Sequence, residues 1–297
     1  MDAGLFFALA LNKKTSFPFV ILALAAFAAH NHHKEDKMKL TQSLPLLALL
    51  ALTAKADDFA RLDEALPLAA EAYAIAPVFD FDGDGCLPSA GISRSGQQNG
   101  GLNPTGGLTS GCRAGNFLDL SNTLHRYACV TSGNDRYCGH FYALYFLKDQ
   151  VLSGIKSGHR HDWEHVAIWT KNGQVTHGSY SAHGSLNTKA ASELDSEGGH
   201  IKLVYHKDGL LTHAMRFSKI NELAENPYGR FVTPAITSWF TLRGDGLDNA
   251  AMGQRLNSYD YGSATIPMKD SNFVSNLNNG KPADYPEFTQ QSADQSQ

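Results

Sequence analysis

Apolar positions change period along this chain, and the changes mark its elements. Residues 17–29 (FPFVILALAAFAA) and 44–52 (LPLLALLAL) are unbroken apolar runs. Residues 57–76 carry leucine and alanine at mixed three- and four-residue spacing, which predicts a short helix interrupted near Pro67. Between 81 and 111 the period is lost among Gly, Ser, Asn and Pro, the texture of loops. From about 141 onward strand signals dominate: residues 141–147 (FYALYFL) are aromatic and apolar, and 166–170 (VAIWT) are β-branched and aromatic. Asn172-Gly173 follows and leads into QVTHGSYS, and Asn-Gly between two such runs predicts a hairpin. HIKLVYH (200–206), Lys207-Asp208-Gly209 and LLTHAMRF (210–217) predict a second one. Further strands are expected in AITSWFTL (235–242) and GSATIPM (262–268), and short helices in SKINELAE (218–225) and SNFVSNLN (271–278). There is no βαβ repeat and no glycine-rich phosphate loop. Short strands separated by turns predict a mainly β chain, an antiparallel β-sandwich with peripheral helices. It is expected to form one domain over 57–285, followed by a polar, aperiodic tail at 286–297 that predicts disorder.

Neither apolar run near the N-terminus reaches the roughly 20 residues a bilayer span needs. The second has the parts of a secretory signal peptide over 38–56: Lys39 after Met38, a leucine-rich stretch, and Ala54-Lys55-Ala56 before Asp57-Asp58. Cleavage after Ala56 and export are therefore expected. Residues 1–37 precede a complete signal peptide and read as a non-native extension, with Met38 as the start. His30, His32 and His33 belong to that extension rather than to a metal-binding tract. Losing residues 1–56 removes six lysines and three acids and takes the formal charge from −4 to −7. An acidic secreted chain is a poor partner for nucleic acid and has no polybasic grip on anionic lipid. It is expected to be a monomer in solution.

All four cysteines, Cys86, Cys112, Cys129 and Cys138, fall in the exported part. An even count there predicts two disulfides rather than zinc, since no close CxxC pair exists. Three pairings are open. Cys129 and Cys138 flank a short turn and look like natural partners, which would leave Cys86 with Cys112.

The densest chemistry is SGHRHDWEHVAIWT, residues 157–170, with three histidines, an aspartate and a glutamate among seven positions. On a strand, Asp162 and Glu164 share one face while His161, Trp163 and His165 share the other. His159 precedes them in a loop after Gly158. Two acids, one further imidazole and an upstream acid such as Asp149 make a mostly oxygen donor set, which suits Ca²⁺, Mg²⁺ or Mn²⁺ better than zinc. A competing pattern is His161-x-x-Glu164-His165, that of inverted zinc peptidases, a metal-dependent hydrolase with Glu164 as base. It requires both histidines on one helix face, and this segment runs into β-branched residues. A third reading, charges that merely solvate an edge strand, is disfavoured by their density. Asp80, Asp82 and Asp84 in DFDGDG resemble the start of a calcium loop, but position twelve is Gly91 where a bidentate glutamate is needed. A turn or a weak second cation site is the better reading.

These residues bring a family into view: the chain resembles the necrosis- and ethylene-inducing peptide 1-like proteins, secreted cytolysins of plant-associated microbes. Their hallmark GHRHDWE stands intact at 158–164. KDQ (148–150), YSAHG (180–184), VYHKDGLLTHAMR (204–216) and GSATIPMKDSNF (262–273) look like the family's other segments in order, so the resemblance covers roughly 75–280. The four cysteines and FDGDGC look like the subgroup with an additional disulfide and a second calcium-binding region, and the Cys86–Cys112 spacing agrees with the family's shared bridge. The departure is Val166-Ala167-Ile168, where the family often has a bulkier run, which bears on packing.

The resemblance implies a β-sandwich similar to actinoporin-like sea-anemone toxins and fungal lectins, with one Ca²⁺ or Mg²⁺ in an acidic cavity at one pole. Its ligands would be Asp149, His159, Asp162 and Glu164, the last through water, with Arg160 and His161 orienting the acids. The implied target is the sugar headgroup of plant glycosylinositol phosphorylceramides at the outer leaflet, followed by membrane damage and without covalent catalysis. A non-toxic lectin-like binder is the alternative within the fold. His183, His206 and His213 are expected to be hydrogen-bonded structural histidines, and Trp169 and Trp239 core residues.

Overall fold

The strand signals at 141–170 become the two longest strands of the described residues in a computed structural model, which describes residues 59–67 and 71–296. The signal peptide at 38–56, its cleavage after Ala56 and the extension at 1–37 lie outside them. The strands are β1 (Val78–Phe81), β2 (Thr123–Ser132), β3 (Asp135–Asp149), β4 (His159–Lys171), β5 (Gln174–Ala182), β6 (Ser185–Ala190), β7 (Ser196–Glu197), β8 (His200–Lys207), β9 (His213–Phe217) and β10 (Ile236–Ser238). The helices are α1 (Asn249–Ser258), α2 (Phe273–Gly280) and α3 (Gln290–Gln295).

Six strands form one sheet in the order β10-β2-β3-β4-β5-β6. A smaller sheet is built on β8, which pairs with β1, β9 and β7. Both predicted hairpins are present, β4 with β5 and β8 with β9. The sheets are not purely antiparallel, because β10 runs parallel to β2 and β1 parallel to β8. The middle strands of the large sheet are buried on both faces. Tyr142, Leu144 and Phe146 of β3 meet Phe79, Phe81, Leu203 and Tyr205 of the small sheet. Phe141, Ala143 and Tyr145 face Met252, Leu256, Phe273 and Leu277 of the helices, with fully buried Trp169 beside them. A strand covered on both sides reads as a continuous apolar run, which is why FYALYFL shows no alternation.

Four expectations are corrected. The described residues of 57–76 form no helix. The Ala65 N–H donates to the Ile236 carbonyl at 3.0 Å and the Ala65 carbonyl accepts from Ser238 N at 2.7 Å, so this backbone is spent along β10. SKINELAE is not helical either: the Glu222 carboxylate accepts from Lys219 N at 2.6 Å, and Asp80 accepts from Glu225 N at 2.9 Å. GSATIPM alternates exposed Ser263 and Thr265 with buried Ala264 and Ile266, yet has no partner strand beyond an isolated bridge between Tyr261 and Ala264. The tail is ordered: Phe288 and Ala293 are buried, and Thr289 and Ser292 form a capping box that starts α3. Helix α2 lies where SNFVSNLN predicts it, whereas α1, capped by Asp248, was not foreseen.

Both disulfides are present, Cys86–Cys112 and Cys129–Cys138. The first closes the glycine-rich stretch, which contains isolated bridges rather than strands. Lys148, buried on β3, holds that stretch by donating to the Gly107 carbonyl at 2.9 Å.

A candidate cation site at one end of the large sheet

The neighbouring ends of β3 and β4 carry the site, since Asp149 pairs with His159 and Phe146 with Asp162 in the sheet register. Asp162 and Glu164 lie on the same side of β4 as Val166 and Ile168, towards the small sheet, as alternation predicts. His159 obeys a different rule. His161 has a left-handed backbone, φ 62°. This breaks the alternation and brings His159 to the acids, although strict pleating would put it with His161 and His165. One ligand atom each from Asp149, His159 and Asp162 lies within 4.8 Å of the others.

The loop before β4 depends on Gly158. Its φ is +76°, and a Cβ there would come within 2.1 Å of the Asp149 carbonyl oxygen. Only glycine lets the chain turn this tightly against the strand that carries the first acid.

Each ligand-type group is oriented by a partner. The His161 carbonyl accepts a hydrogen bond from His159 Nδ1 at 2.6 Å, so Nδ1 carries the proton and Nε2 is left facing Asp149 Oδ2 at 3.8 Å. Asp149 is gripped by His213, which donates its backbone N–H to both oxygens, at 3.1 and 3.0 Å, and its Nδ1–H to Oδ1 at 2.7 Å. The other ring nitrogen of His213 faces the Asp84 carbonyl at 3.1 Å. Two acceptors at the two ring nitrogens call for the imidazolium form. Burial opposes that charge, but the hydrogen bond and charge of Asp149 outweigh it and raise the pKa. Tyr205 Oη donates to Asp162 Oδ2 at 2.9 Å, and Ser181 Oγ donates to Glu164 Oε2.

Asp149, Asp162 and Glu164 are all buried. Burial, and then the charge of Asp149, raises the Asp162 pKa. Burial, and then the charges of Asp162 and Asp149, does the same to Glu164. Carboxylates gathered this way repel one another, and a hard divalent cation supplies the compensating charge. The donor set of two carboxylates and one imidazole fits such an ion. Asp149, His159 and Asp162 would hold it, and Glu164, outside the 4.8 Å group but lining the same cavity, is placed to act through water. That cavity measures about 790 Å³ and extends from the acids to Asn272, just before α2, and to Asn276 and Asn279 of α2.

Arg160 does not orient the acids. It is exposed and donates to the Gly100 carbonyl at 2.7 Å and to Asn103 Oδ1, tying that loop to β4. The His161 ring points away from them to Tyr145 Oη at 2.6 Å, and its contribution to the site is its carbonyl. His161 and His165 lie four residues apart on a strand, about 13 Å along it, and not on a shared helix face. His213 and His183 are hydrogen-bonded, the latter to Asp208 at 2.9 Å, and both line the cavity, whereas His206 lies outside its lining. Trp169 and Trp239 are core residues. Asp80, Asp82 and Asp84 stand in three separate settings. Asp80 accepts from Glu225 N and Asn226 N, Asp82 pairs with Arg216 at 3.3 Å, and Asp84 accepts from Lys207 N at 3.4 Å. Reading the sequence missed Tyr205 and Ser181 as positioning residues. Their only signal was their place in the segments VYHKDGLLTHAMR and YSAHG.

A family model described as necrosis inducing protein (NPP1) matches residues 69–280, which contain the whole site. The necrosis-inducing protein NPP1 of Phytophthora nicotianae is 29% identical over 66% of this chain and 76% of its own. NLP effector protein 3 of Phytophthora capsici is 31% identical over 67% of this chain and 77% of its own. Among solved structures, one described as a toxin fold as basis for microbial attack and plant defence has a TM-score of 0.59 at 26% identity, covering 75% of this chain and 97% of that one. NLPPya in complex with mannosamine has a TM-score of 0.60 at 25% identity, covering 76% and 97%. A family match over most of the chain, around a site that the geometry picks out independently, shows that the chain belongs to the necrosis inducing protein (NPP1) family.

Proposed function

We propose that this protein is a secreted, cation-dependent cytolysin. It binds the sugar headgroup of plant glycosylinositol phosphorylceramides at the outer leaflet and damages the plasma membrane, with necrosis and defence responses as the outcome. The observation that carries the reading is the convergence of Asp149, His159 and Asp162 within 4.8 Å at the side of an open cavity. A bound Ca²⁺ or Mg²⁺ supplies a Lewis-acid point of attachment for sugar hydroxyls. The site is a binding device in this reading, and no covalent step is assigned to it. The mannosamine complex of a relative supports a sugar as the occupant.

Membrane contact is supported by apolar side chains on the two turns beside the site. Leu152 and Ile155 lie between Asp149 and His159, 44% and 60% exposed, and Leu210 and Leu211 precede His213, 83% and 56% exposed. Such leucines gain stability by leaving water at a lipid surface.

The test is infiltration of residues 57–297 into a eudicot leaf, with Asp162→Ala as control and electrolyte leakage as readout. Leakage from wild type in the presence of Ca²⁺, and its loss in the variant, is the expected outcome. Headgroup binding without leakage would sink the toxin reading and favour a lectin-like binder. The non-toxic HaNLP3 protein has the same fold, so the fold does not decide between them. Peptidase activity restored by zinc after chelation would favour the hydrolase.

A further inference from the structure

A second cavity lies on the helix side of the large sheet, with Arg126 at its floor. Arg126 pairs with Phe141 in the register of β2 and β3, and its side chain is 3% exposed. Its guanidinium carbon lies 4.6 Å from the centre of the Phe273 ring, 5.4 Å from that of Trp239 and 5.5 Å from that of Phe240. Nη1 donates to the Met268 carbonyl at 2.6 Å and to Asp270 Oδ1 at 2.7 Å. Asp270 Oδ2 accepts from Asn257 Nδ2 at 2.8 Å, so both oxygens of this carboxylate are engaged and its charge is balanced by Arg126. Among the described residues, Arg126 Nε, Arg126 Nη2 and Trp239 Nε1 have no acceptor, and of the three only Nε is sealed from solvent. Arg126 and Trp239 line a cavity of about 720 Å³ that shares no lining residue with the acidic one. Its α1 wall carries the amides of Asn249 and Gln254, and its α3 wall carries Asp294. Asp294 Oδ1 accepts from Gln290 Nε2 at 2.8 Å, while Oδ2 has no donor among the described residues.

We propose that this cavity binds a small zwitterion, a carboxylate and a primary ammonium a few bonds apart, as in an α-amino acid with an apolar side chain. The carboxylate supplies acceptors for the two open donors on the floor, Arg126 Nη2 and Trp239 Nε1, the first through a charge-assisted hydrogen bond. A bare anion would add its charge beside a pair that is already neutral and across from Asp294. The ammonium of a zwitterion cancels that charge and finds acceptors in Asp294 Oδ2 and the amide oxygens of the α1 wall. Phe240, half-buried at the cavity, gives an apolar side chain a ring to pack on. The proposal goes beyond the cytolysin reading and stands apart from it, since the two cavities have no wall in common.

The ¹⁵N-labelled full chain, kept in chelator so that the acidic site holds no cation, reports binding through the indole N–H resonances of its three tryptophans. That of Trp239 is assigned by its loss in Trp239→Phe. L-phenylalanine should shift it saturably with a Kd of about 1 mM, an affinity in reach of a ligand of this size. Phenylalanine methyl ester lacks the carboxylate and N-acetylphenylalanine lacks the ammonium. Each should bind about tenfold more weakly, the loss of one charge-assisted hydrogen bond. Asp294→Asn, at an exposed position, should weaken phenylalanine by about the same factor and leave N-acetylphenylalanine no weaker. No shift of Trp239, equal affinity for the three compounds, or unchanged phenylalanine binding in Asp294→Asn overturns the proposal. A shift confined to Trp163, which lines the acidic cavity, overturns it by placing the ligand there. Phosphoethanolamine carries the same charge pair on a lipid headgroup, and tighter binding of it than of phenylalanine overturns the amino-acid assignment.

Discussion

Gly158 shows how one position can carry a site without touching a ligand. Any Cβ there meets the Asp149 carbonyl oxygen, and φ of +76° adds strain for an L side chain. Gly158→Ala is expected to destabilise the protein by about 1–3 kcal/mol and to weaken cation binding, because relief of the clash moves Asp149. Thermal unfolding and Ca²⁺ titration by calorimetry check both effects. His213 acts differently, through three hydrogen bonds that leave Asp149 no freedom to turn. His213→Ala removes the Nδ1 hydrogen bond and leaves the two from the backbone N–H, and should lower cation affinity about tenfold with the fold intact, read by the same titration. The residues in contact with the site divide by legibility. Asp162 and Glu164 follow from strand alternation, a local rule. The approach of His159 depends on a left-handed backbone at His161, and the grip on Asp149 comes from a residue 64 positions away, so neither follows from spacing.

At the scale of elements, the hairpins were legible because Asn172-Gly173 and Lys207-Asp208-Gly209 carry the turn chemistry themselves, with Asn172 and both glycines at positive φ. The segment 262–268 misled because its alternation is real, whereas a strand also needs a neighbour with free backbone groups. The tail misled because its polar residues cap a short helix, and its only buried apolar residues are Phe288 ahead of α3 and Ala293 within it, too few for a periodic signal. The disulfides differ in what they restrain. Cys129 and Cys138 join directly opposed positions of β2 and β3 at a separation of 9, while Cys86–Cys112 closes a stretch of separation 26. In the chain-entropy model the longer loop contributes about 1 kcal/mol more. Cys86→Ala/Cys112→Ala should therefore lower the urea midpoint further than Cys129→Ala/Cys138→Ala, and the opposite order would show that the hairpin is the weaker part of the fold.

For the whole molecule, stability depends on groups that must stay neutral. His125 and His140 are buried and share a hydrogen bond at 3.2 Å. Burial, followed by the charge of Arg136, lowers the His140 pKa from 6.5 to about 3, and burial, followed by His140, lowers that of His125. The unfolded chain therefore binds more protons at acid pH, and stability present above pH 6.5 is lost as the pH falls towards 3. At pH 4 His140 alone accounts for about 3 kcal/mol. Urea denaturation at pH 7 and pH 4 should show this loss, and His140→Gln should reduce it. The acidic cavity acts in the other direction, because the raised pKa values of Asp162 and Glu164 make their ionisation cost stability as the pH rises. Ca²⁺ at about 100 times its Kd should stabilise the chain by about 2.7 kcal/mol, seen as a rise in Tm that chelation reverses. The sequence by itself determined the strand-rich class, the two hairpins and the acid pair of β4, because turn residues and side-chain period act over a few positions. The tertiary structure alone decided that β1 and β10 pair in parallel, that His159 joins the acids, and that α2 presents its asparagines across the cavity. Those outcomes depend on which distant backbone groups and side chains satisfy one another, and no spacing along the chain records that.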